Sequence, residues 1–491
     1  MKLRDLLSGI SIFDFSGNEQ QEIRGISYSS KKVQPGFLFA ALKGEKTDGH
    51  QFIQEAVSKG AAAVLAEKPK PPHFEKSWIH TPDARQALAV CSANFYSHPS
   101  RHLKIVGITG TKGKTTVTYL LEEILKKAKL RPGVMGTISY RGPNLEMPAE
   151  RTTPEAPDLQ RLLSLLLAEG ATHCLIEVSS HALELKRVVG IEFDAAVFTN
   201  LSGEHLDYHL SMENYYEAKK KLFFSDHKKS IAVVNTDDPW GKKLIAEIPM
   251  SSITYGLDPS AIVHAQKYNL SQQGIELEVK YPGGTMALSS PLLGKPNLYN
   301  ILAAAAVALS LKFPSHAIKE GTASLQGVPG RFERIENSLG LHIFVDYAHT
   351  DDALRNLLKT AREQNPRRLL LVFGAGGDRD KAKRPRMGEV ASRLADWTIL
   401  TSDNPRSEDP LAIISEIEKG FKKNGEKNYQ IMPNRREAIK KALSMGKKGD
   451  FILVAGKGHE NYQIVGHQMI PFHDAEVIRD LLKRMEANRN G

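Results

Sequence analysis

Short apolar runs alternate with segments of helical hydrophobic spacing through most of this 491-residue chain. In the middle of the sequence, the runs that predict buried strands lie at 103–109, 173–178, 195–199 and 230–235. A second set follows a Gly-Val-Pro-Gly turn at 327–330 and lies at 341–347, 368–373, 397–401 and 451–454. Strands that alternate with helices in this way favour a mainly parallel sheet with helices on both faces.

The first hundred residues differ from the rest. They contain only short strand candidates, at 37–42 and 61–66, between turn residues such as Pro35-Gly36. Residues 95–101, which include a proline, are typical of a linker. We therefore predict an α/β protein of three domains: a small α/β domain at 1–98, a central domain with a parallel sheet at 99–330, and a Rossmann-like α/β domain at 331–491.

One loop carries the clearest chemical signal. It follows the strand predicted at 103–109, precedes a helical pattern at 115–130, and consists of Gly110, Thr111, Lys112, Gly113, Lys114, Thr115 and Thr116. A strand, a glycine loop and a helix start together let backbone N–H groups hold polyphosphate. Lys114 can reach the terminal phosphates, and the Thr115 hydroxyl can ligate Mg²⁺. Ile108 replaces the first glycine of the common motif, and a plain glycine turn is the alternative. The flanking elements favour ATP binding.

Composition narrows the class of protein. The formal net charge of +10 suits anionic partners, but the basic residues are scattered in short groups without an aromatic-rich basic tract. Two cysteines show neither a disulfide framework nor metal-ligand spacing. The apolar run at 301–311 is too short to cross a bilayer and predicts a buried helix. We expect a monomeric cytoplasmic protein with no signal peptide, no membrane insertion and no nucleic-acid partner.

Polar clusters follow the predicted strands, at the sheet edge where ligand sites form. They read EVSSHAL from Glu177, HLDYH from His205, VDYAH from Val345, GGDRDK from Gly376, DNPR from Asp403 and AGKGHE from Ala455. With GTKGKTT, and in this order, these motifs resemble the Mur ligases, ATP-dependent and ADP-forming enzymes that join amino acids to the peptidoglycan precursor. The resemblance covers essentially the whole chain and is greatest to the members that extend UDP-N-acetylmuramoyl-L-alanyl-D-glutamate.

The resemblance implies that ATP phosphorylates a carboxylate and that an amine attacks the acyl phosphate. It gives Lys114 a catalytic role and assigns a second Mg²⁺ to Glu177, His205 and a carbamylated Lys219. For Glu177 the alternative is a capping carboxylate, and for His205 it is a helix-start histidine. For Lys219 it is a solvated lysine beside Lys220. The implied nucleotide contacts are Asn300, Arg331, Asp346 and His349, with a helix N-cap as the alternative for Asn300.

The resemblance also implies a binding surface for the UDP-sugar peptide, consisting of Ser30, Lys46, Thr47, Asp48, Thr152, Thr153, Ser179 and Arg187. The sequence departs from the family pattern near this surface. Ser29-Ser30-Lys31 replaces Asp-Ser-Arg, Arg151 replaces an asparagine, and Leu185 replaces a glutamine.

The acceptor amino acid is implied by Asp403, Asn404, Pro405 and Arg406, which resemble the meso-diaminopimelate form of the selectivity motif. Arg406 and Arg379 can bind its distal carboxylate, and Glu460 with the Gly456 carbonyl can bind its distal ammonium. The alternative for this tetrapeptide is a surface Asn-Pro turn. The alternatives for the protein's function are a related ligase or paralogue that uses L-lysine or a modified muropeptide, and a nucleic-acid-binding P-loop ATPase.

Overall fold

The computed structural model describes residues 1–44, 47–224 and 230–490. The chain forms two compact units. The first comprises Met1–Ala265, Lys280–Thr285 and Ile301–Gly321, and the second comprises Gln266–Val279, Met286–Asn300 and the chain from Thr322 onward. Within the described residues, no helix is long and apolar enough to cross a membrane. The three domain boundaries given above stay a prediction.

The N-terminal part of the first unit is a five-stranded sheet in the order β1-β5-β4-β3-β2, parallel except for β1. Asp83 caps the longest helix by accepting a hydrogen bond from the Gln86 N–H, and that helix buries Leu88 and Cys91 against the sheet. The elements are α1 Leu3–Leu6, β1 Asp14–Ser16, β2 Gly25–Ser27, β3 Phe37–Ala41, α2 Ile53–Ser58, β4 Ala63–Ala66, β5 Ser77–His80 and α3 Ala84–Phe95. Short 3₁₀ turns lie at Ser30–Lys32, Gly49–Phe52 and Pro99–His102.

The central part of the first unit contains six parallel strands in the order β13-β12-β11-β6-β10-β7. Strands β8 and β9 continue it in antiparallel pairing. The elements are β6 Lys104–Thr109, α4 Lys114–Lys127, β7 Pro132–Met135, β8 Ser139–Arg141, β9 Glu146–Pro148, α5 Ala156–Ala168, β10 His173–Glu177, α6 Ser180–Glu184, β11 Ala195–Phe198, α7 Leu206–His209, α8 Met212–Lys220, a 3₁₀ turn Lys221–Phe223, β12 Ile231–Asn235, α9 Pro239–Glu247 and β13 Ser252–Gly256. Because β6 lies between β10 and β11, the loops after these three strands meet at one edge.

Three strands and two helices follow: β14 Val263–Ser271, β15 Gly274–Tyr281, β16 Gly284–Ser290, α10 Lys295–Ser310 and α11 Ser315–Ser324. The buried helix predicted at 301–311 is confirmed, but it begins six residues earlier than the apolar run. Asn300 is therefore inside the helix, where its side chain donates to Asn297 Oδ1 at 2.9 Å. The prediction that Asn300 marks the helix start is wrong, because polar residues form the first turn.

The C-terminal sheet of the second unit has the order β17-β18-β22-β19-β20-β21, and only β17 is antiparallel. Helices α12–α14 bury apolar side chains on one face, and α15 and α16 do so on the other. The elements are β17 Glu333–Ile335, β18 His342–Asp346, α12 Asp351–Arg362, β19 Leu369–Phe373, α13 Lys383–Leu394, β20 Trp397–Leu400, α14 Pro410–Lys423, β21 Tyr429–Ile431, α15 Arg435–Met445, β22 Phe451–Ala455, β23 Tyr462–Val465, β24 Gln468–Pro471 and α16 Asp474–Asn490. The predicted parallel α/β architecture is confirmed.

Candidate active site

The glycine loop lies between β6 and α4 and is fastened to the end of β11. The Thr111 N–H donates to the Asn200 carbonyl at 2.9 Å, and the Lys112 N–H donates to Asn200 Oδ1 at 3.0 Å. Gly110 has φ 143°, and an added Cβ would lie 1.9 Å from Thr199 Oγ1. Only glycine fits at this position without displacing its neighbour.

The helix that follows the loop begins at Lys114, one residue before the predicted start. Lys114 Nζ donates to the carbonyls of Gly110 and Thr111 at 2.9 and 3.0 Å, so its ammonium lies over the loop. Thr115 and Thr116 are buried in the first turn of α4. Gly113, in the left-handed region at φ 90°, precedes the helix. The positive end of α4 and the Lys114 charge therefore face the same place, where an anion is stabilised.

Glu177, at the end of β10, is 1% exposed and connects three segments. Its Oε2 accepts hydrogen bonds from the hydroxyls of Thr115 and Thr137, both at 2.9 Å, and its Oε1 accepts one from the Thr137 N–H at 3.0 Å. Thr137 Oγ1 also lies 3.1 Å from Thr152 Oγ1. The carboxylate predicted from EVSSHAL is thus a hydrogen-bonded partner of the loop threonine.

Lys219, on α8, reaches the loop from the other side. Its Nζ is buried, donates to the Gly110 carbonyl at 2.9 Å, and lies 4.6 Å from the centre of the Tyr215 ring. Burial, and then the positive charge of Lys114, hold the pKa of Lys219 well below its usual range. The alternative of a solvated lysine is wrong for this residue, because α8 turns Lys219 inward while Lys221 stays at the surface.

His205 precedes α7 with φ 58° and lies among other aromatic side chains. Its ring centre is 4.9 Å from that of His181 and 6.2 Å from that of Tyr215. Burial lowers the pKa of His205, which favours the neutral ring. In the part of the chain that the structure describes, no three His, Cys, Asp or Glu side chains converge as metal ligands. The second-metal assignment of Glu177, His205 and Lys219 stays a prediction.

Thr153, Ser179 and Arg187 lie together beyond the end of β10. Thr153 Oγ1 donates to the Glu177 carbonyl at 2.8 Å and accepts from the Ser179 N–H at 3.1 Å. Arg187 donates to the Thr153 carbonyl at 3.1 Å and forms a 2.9 Å ion pair with Glu155. These residues adjoin Glu177, as expected for a shared site. Ser179 also caps α6 by accepting a hydrogen bond from the Ala182 N–H, and its contact with the muropeptide stays a prediction.

Glu155 is buried and has a second arginine partner besides Arg187. Arg151 donates to Glu155 Oε1 at 2.8 Å. Arg151 and Glu155 belong to the lining of a solvent-open cavity of about 100 Å³ in the first unit. The charged groups of this lining are balanced, with Lys32, Arg151 and Arg161 facing Glu150, Glu155 and Asp158.

The N-terminal candidates are engaged by neighbours of their own domain. Ser30 Oγ donates to Glu55 Oε2 at 2.8 Å. Asp48 accepts from the His50 N–H and from Lys68 Nζ, both at 3.0 Å. Thr47 is exposed, and Lys46 lies outside the described residues. Among the described residues, these hydrogen bonds do not link Ser30 or Asp48 to Glu177.

In the second unit, Asn404 connects the two segments that carry the predicted acceptor residues. Its Oδ1 accepts from Lys457 Nζ at 3.1 Å and from the Ile464 N–H at 3.0 Å, and its Nδ2 donates to Glu460 Oε2 at 2.8 Å. Asp403 is close by, because an added Cβ on Gly456 would lie 2.9 Å from Asp403 Oδ2. We call the group Asp403, Asn404, Arg406, Lys457 and Glu460, with Arg379 and Gly456, the amino-acid pocket.

The two arginines of the amino-acid pocket both lie near Gly376. An added Cβ there would be 3.3 Å from Arg406 Nη1 and 3.8 Å from Arg379 Cγ. Arg406 has φ 52° and donates through Nη1 to the Gly377 carbonyl at 2.5 Å, and Pro405 precedes it. Arg379 is exposed. The two predicted arginines are therefore near one another, and their contact with a carboxylate stays a prediction.

Arg331, Asp346 and His349 also lie in the second unit. The carboxylate of Asp346 accepts from the Phe332 and Ala348 N–H groups at 2.7 and 2.8 Å. The Arg331 guanidinium lies 4.9 Å from the centre of the Tyr347 ring, and His349 Nδ1 lies 2.8 Å from the Tyr347 carbonyl. Arg331 Nε is buried and has no hydrogen-bond partner among the described residues.

Comparison with known proteins gives the family. Three family models match consecutive segments: "Mur ligase family, catalytic domain" at 22–96, "Mur ligase middle domain" at 108–308, and "Mur ligase, glutamate ligase domain" at 330–458. The chain belongs to the Mur ligase family.

The relatives of this Mur ligase share one name. A UDP-N-acetylmuramoyl-L-alanyl-D-glutamate–2,6-diaminopimelate ligase from Syntrophomonas wolfei is 41% identical over 485 residues, which is 98% of this chain and 99% of the relative. A solved structure under the same enzyme name is 34% identical, with a TM-score of 0.71 and 99% of each chain covered. The MurF ligase from Thermotoga maritima, solved in complex with ADP, shares the fold at 22% identity and a TM-score of 0.61, with 95% of this chain and 98% of its own covered.

Some residues of this Mur ligase that contact the candidate site were missed from the sequence. Thr137 is an isolated threonine after β7, and nothing in its neighbours indicates a bond to Glu177. Arg435 is fully buried, forms a bidentate pair with Asp474, and donates to the carbonyls of Ser402 and Ala455. Lys457 lies inside AGKGHE, so the motif itself was the available signal.

Proposed function

We propose that this Mur ligase adds meso-2,6-diaminopimelate to the γ-carboxylate of the D-glutamate in UDP-N-acetylmuramoyl-L-alanyl-D-glutamate, a step of peptidoglycan precursor synthesis. The reaction consumes ATP and releases ADP and phosphate. The observation that carries the proposal is the amino-acid pocket, in which Arg379 and Arg406 both lie near Gly376 and the carboxylates of Asp403 and Glu460 both lie near Lys457. The shared name of the full-length relatives supports it.

The chemistry requires activation of the carboxylate, because oxide is too poor a leaving group for an amine to displace. The substrate carboxylate attacks the terminal phosphorus of ATP, and ADP leaves with the bonding electrons. The amine then attacks the acyl phosphate, loses a proton, and expels phosphate. The glycine-loop N–H groups, the α4 terminus and Lys114 lie where they can stabilise the charge of the transferring phosphoryl group.

Oxygen donors suited to Mg²⁺ adjoin the loop. Thr115 Oγ1 and Glu177 Oε2 are 2.9 Å apart, and both are hard ligands of the kind that Mg²⁺ prefers. We propose that Thr115 holds one Mg²⁺ and that Glu177, His205 and a carbamylated Lys219 hold a second. When bound, Mg²⁺ would reduce the repulsion between phosphate and carboxylate.

The environment of Lys219 suits carbamylation. Its lowered pKa favours the neutral amine, and a neutral amine can attack the carbon of CO₂ and release a proton. The product is an anionic carbamate, which can serve as an oxygen ligand for Mg²⁺. Its negative charge would be stabilised by the positive charge of Lys114.

The nucleotide and the muropeptide take the remaining candidates. We propose that Arg331, Asp346, His349 and Asn300 contact the nucleotide, and the buried Arg331 Nε without a partner among the described residues supports this. We propose that the muropeptide is contacted by Arg187, Ser30, Lys46, Thr47, Asp48, Thr152, Thr153 and Ser179.

An amino-acid panel tests the proposal. ADP release is measured with the UDP-muramoyl dipeptide and either meso-diaminopimelate, L-lysine or no amino acid, and separately with DNA or RNA in place of both substrates. Because lysine lacks the distal carboxylate, it leaves two arginines without a partner. Two charge-assisted contacts predict discrimination of roughly 10²–10⁴-fold in kcat/KM. Equal use of lysine would show that the enzyme is a lysine-adding relative, and stimulation by nucleic acid alone would support the P-loop ATPase alternative.

A further inference from the structure

Lys457 lies in the loop after β22 and is completely buried. Its Nζ donates to Glu460 Oε2 at 3.0 Å and to Asn404 Oδ1 at 3.1 Å, and lies 3.7 Å from Asp403 Oδ1. A buried ammonium is stable only if partners of opposite charge surround it. Lys457 therefore contacts both carboxylates of the amino-acid pocket at once.

The charges of the amino-acid pocket match one particular ligand end. Asp403 and Glu460 carry two negative charges, and Lys457 offsets one of them. One negative charge remains for one ammonium, while Arg406 and Arg379 are available to a carboxylate. A distal group that carries an ammonium together with a carboxylate satisfies both requirements, whereas an ammonium alone satisfies only the first.

We propose that Lys457 is a specificity-determining residue of this ligase. Its ammonium keeps the acidic side of the amino-acid pocket at a single net negative charge. A ligand with a distal ammonium but no distal carboxylate is therefore not bound more tightly. This inference rests on the proposed function. Without Lys457, two carboxylates face the ligand, repel its distal carboxylate and attract its ammonium more strongly. Diaminopimelate binding is then weakened at the distal carboxylate and strengthened at the distal ammonium. Lysine, which has no distal carboxylate, is only bound more tightly.

The test compares Lys457→Met and Lys457→Gln with wild type, using diaminopimelate and L-lysine as acceptors. Met removes the charge and the donor, whereas Gln removes the charge and keeps a donor towards Asn404 and Glu460. We expect the ratio of kcat/KM for diaminopimelate to that for lysine to fall about tenfold or more in both variants. KM for ATP and for the muropeptide should change less than about twofold. The ratio does not depend on the fraction of folded enzyme.

Lys440→Met is the matched control, because the Lys440 side chain is 60% exposed on α15. It should leave the ratio unchanged. A double variant, Lys457→Met with Glu460→Gln, removes one charge of each sign and should recover a large part of the lost ratio. A purely structural Lys457 predicts instead that the double variant is worse than either single one.

Two results would overturn the inference. One is an unchanged ratio in both Lys457 variants, and the other is a double variant that discriminates no better than Lys457→Met. Failure of the proposed function has a different signature, since wild-type enzyme would then show no preference for diaminopimelate before any residue is changed.

Discussion

Removal of Asp474 should destabilise the second unit strongly. Asp474 and Arg435 are both fully buried, and two hydrogen bonds of 2.7 Å join the carboxylate to the guanidinium. The variant Asp474→Ala leaves an unpaired guanidinium in the interior, because arginine cannot lose its proton there. Breaking such a pair from one side costs about 3–5 kcal/mol. We expect the free energy of unfolding of the second unit to fall by that amount.

Removal of both partners should be much less damaging. In the double variant Arg435→Met with Asp474→Leu, no charge is buried, and apolar side chains of similar volume replace the pair. The carbonyls of Ser402 and Ala455 lose a donor, which offsets only part of the stability recovered by removing the buried charge. These carbonyls directly precede two residues of the amino-acid pocket, so KM for diaminopimelate should rise while KM for the muropeptide does not.

Tryptophan fluorescence can report on the second unit alone. The chain has three tryptophans, of which Trp78 and Trp240 lie in the first unit and Trp397 lies in the second. In a background with Trp78→Phe and Trp240→Phe, a urea titration follows Trp397 only. The change in free energy is obtained from the shift of the midpoint at constant slope.

Asp480→Ala provides the control on the same helix. Asp480 pairs with Arg436, and both side chains are more than one-third exposed, so its loss should destabilise the second unit far less than the loss of Asp474. If Asp474→Ala cost no more than Asp480→Ala, the argument from the buried charge would be wrong. It would also be wrong if the double variant were less stable than Asp474→Ala.

Four further outcomes are expected. Lys219→Ala should be nearly inactive and partly rescued by acetate in a ligase assay, and an active alanine variant would contradict the carbamate. Arg406→Ala should lose diaminopimelate activity far more than its weak lysine activity, as measured by kcat/KM for each. Gly110→Ala should weaken ADP binding at least about tenfold in calorimetry, because the added Cβ has no room, whereas Gly203→Ala, with nothing within 4 Å, should not. Burial lowers the pKa of His173 to about 4, so the unfolded chain binds a proton first as the pH falls from about 6.5 to 4. Over that window stability should drop by roughly 1–3 kcal/mol, and His173→Gln should reduce the drop in urea titrations at each pH.

Apolar patterning was sufficient to locate the parallel strands. The runs at 103–109 and 173–178 correspond to β6 and β10 within one residue at each end, because strands buried on both faces exclude polar side chains. The start of α10 was missed because the prediction relied on the apolar pattern alone. Its first turn is polar, so the pattern began only where the helix becomes apolar.

Contacts across the chain were harder to predict than motifs. The glycine loop and Glu177 each belong to a recognisable string, and the order of strands brings them together. The bond from Thr137 to Glu177 depends instead on the path of the chain after β7, which local patterning does not encode. Lys219 and Lys221 are the same residue type in one short basic run. Lys219 is buried on α8, whereas Lys221, in the 3₁₀ turn that follows, is exposed.

The shared carboxylate of Glu177 has a thermodynamic consequence. One oxygen accepts hydrogen bonds from Thr115, in the helix of the glycine loop, and from Thr137, which is next to Thr152. A ligand that withdraws Thr115 from this carboxylate changes the free energy of the arrangement around Thr152. By linkage, a ligand that rearranges Thr152 must alter affinity at the glycine loop by the same factor. We therefore expect that binding at the glycine loop and binding at Thr152 change each other's affinity through the Glu177 Oε2 atom.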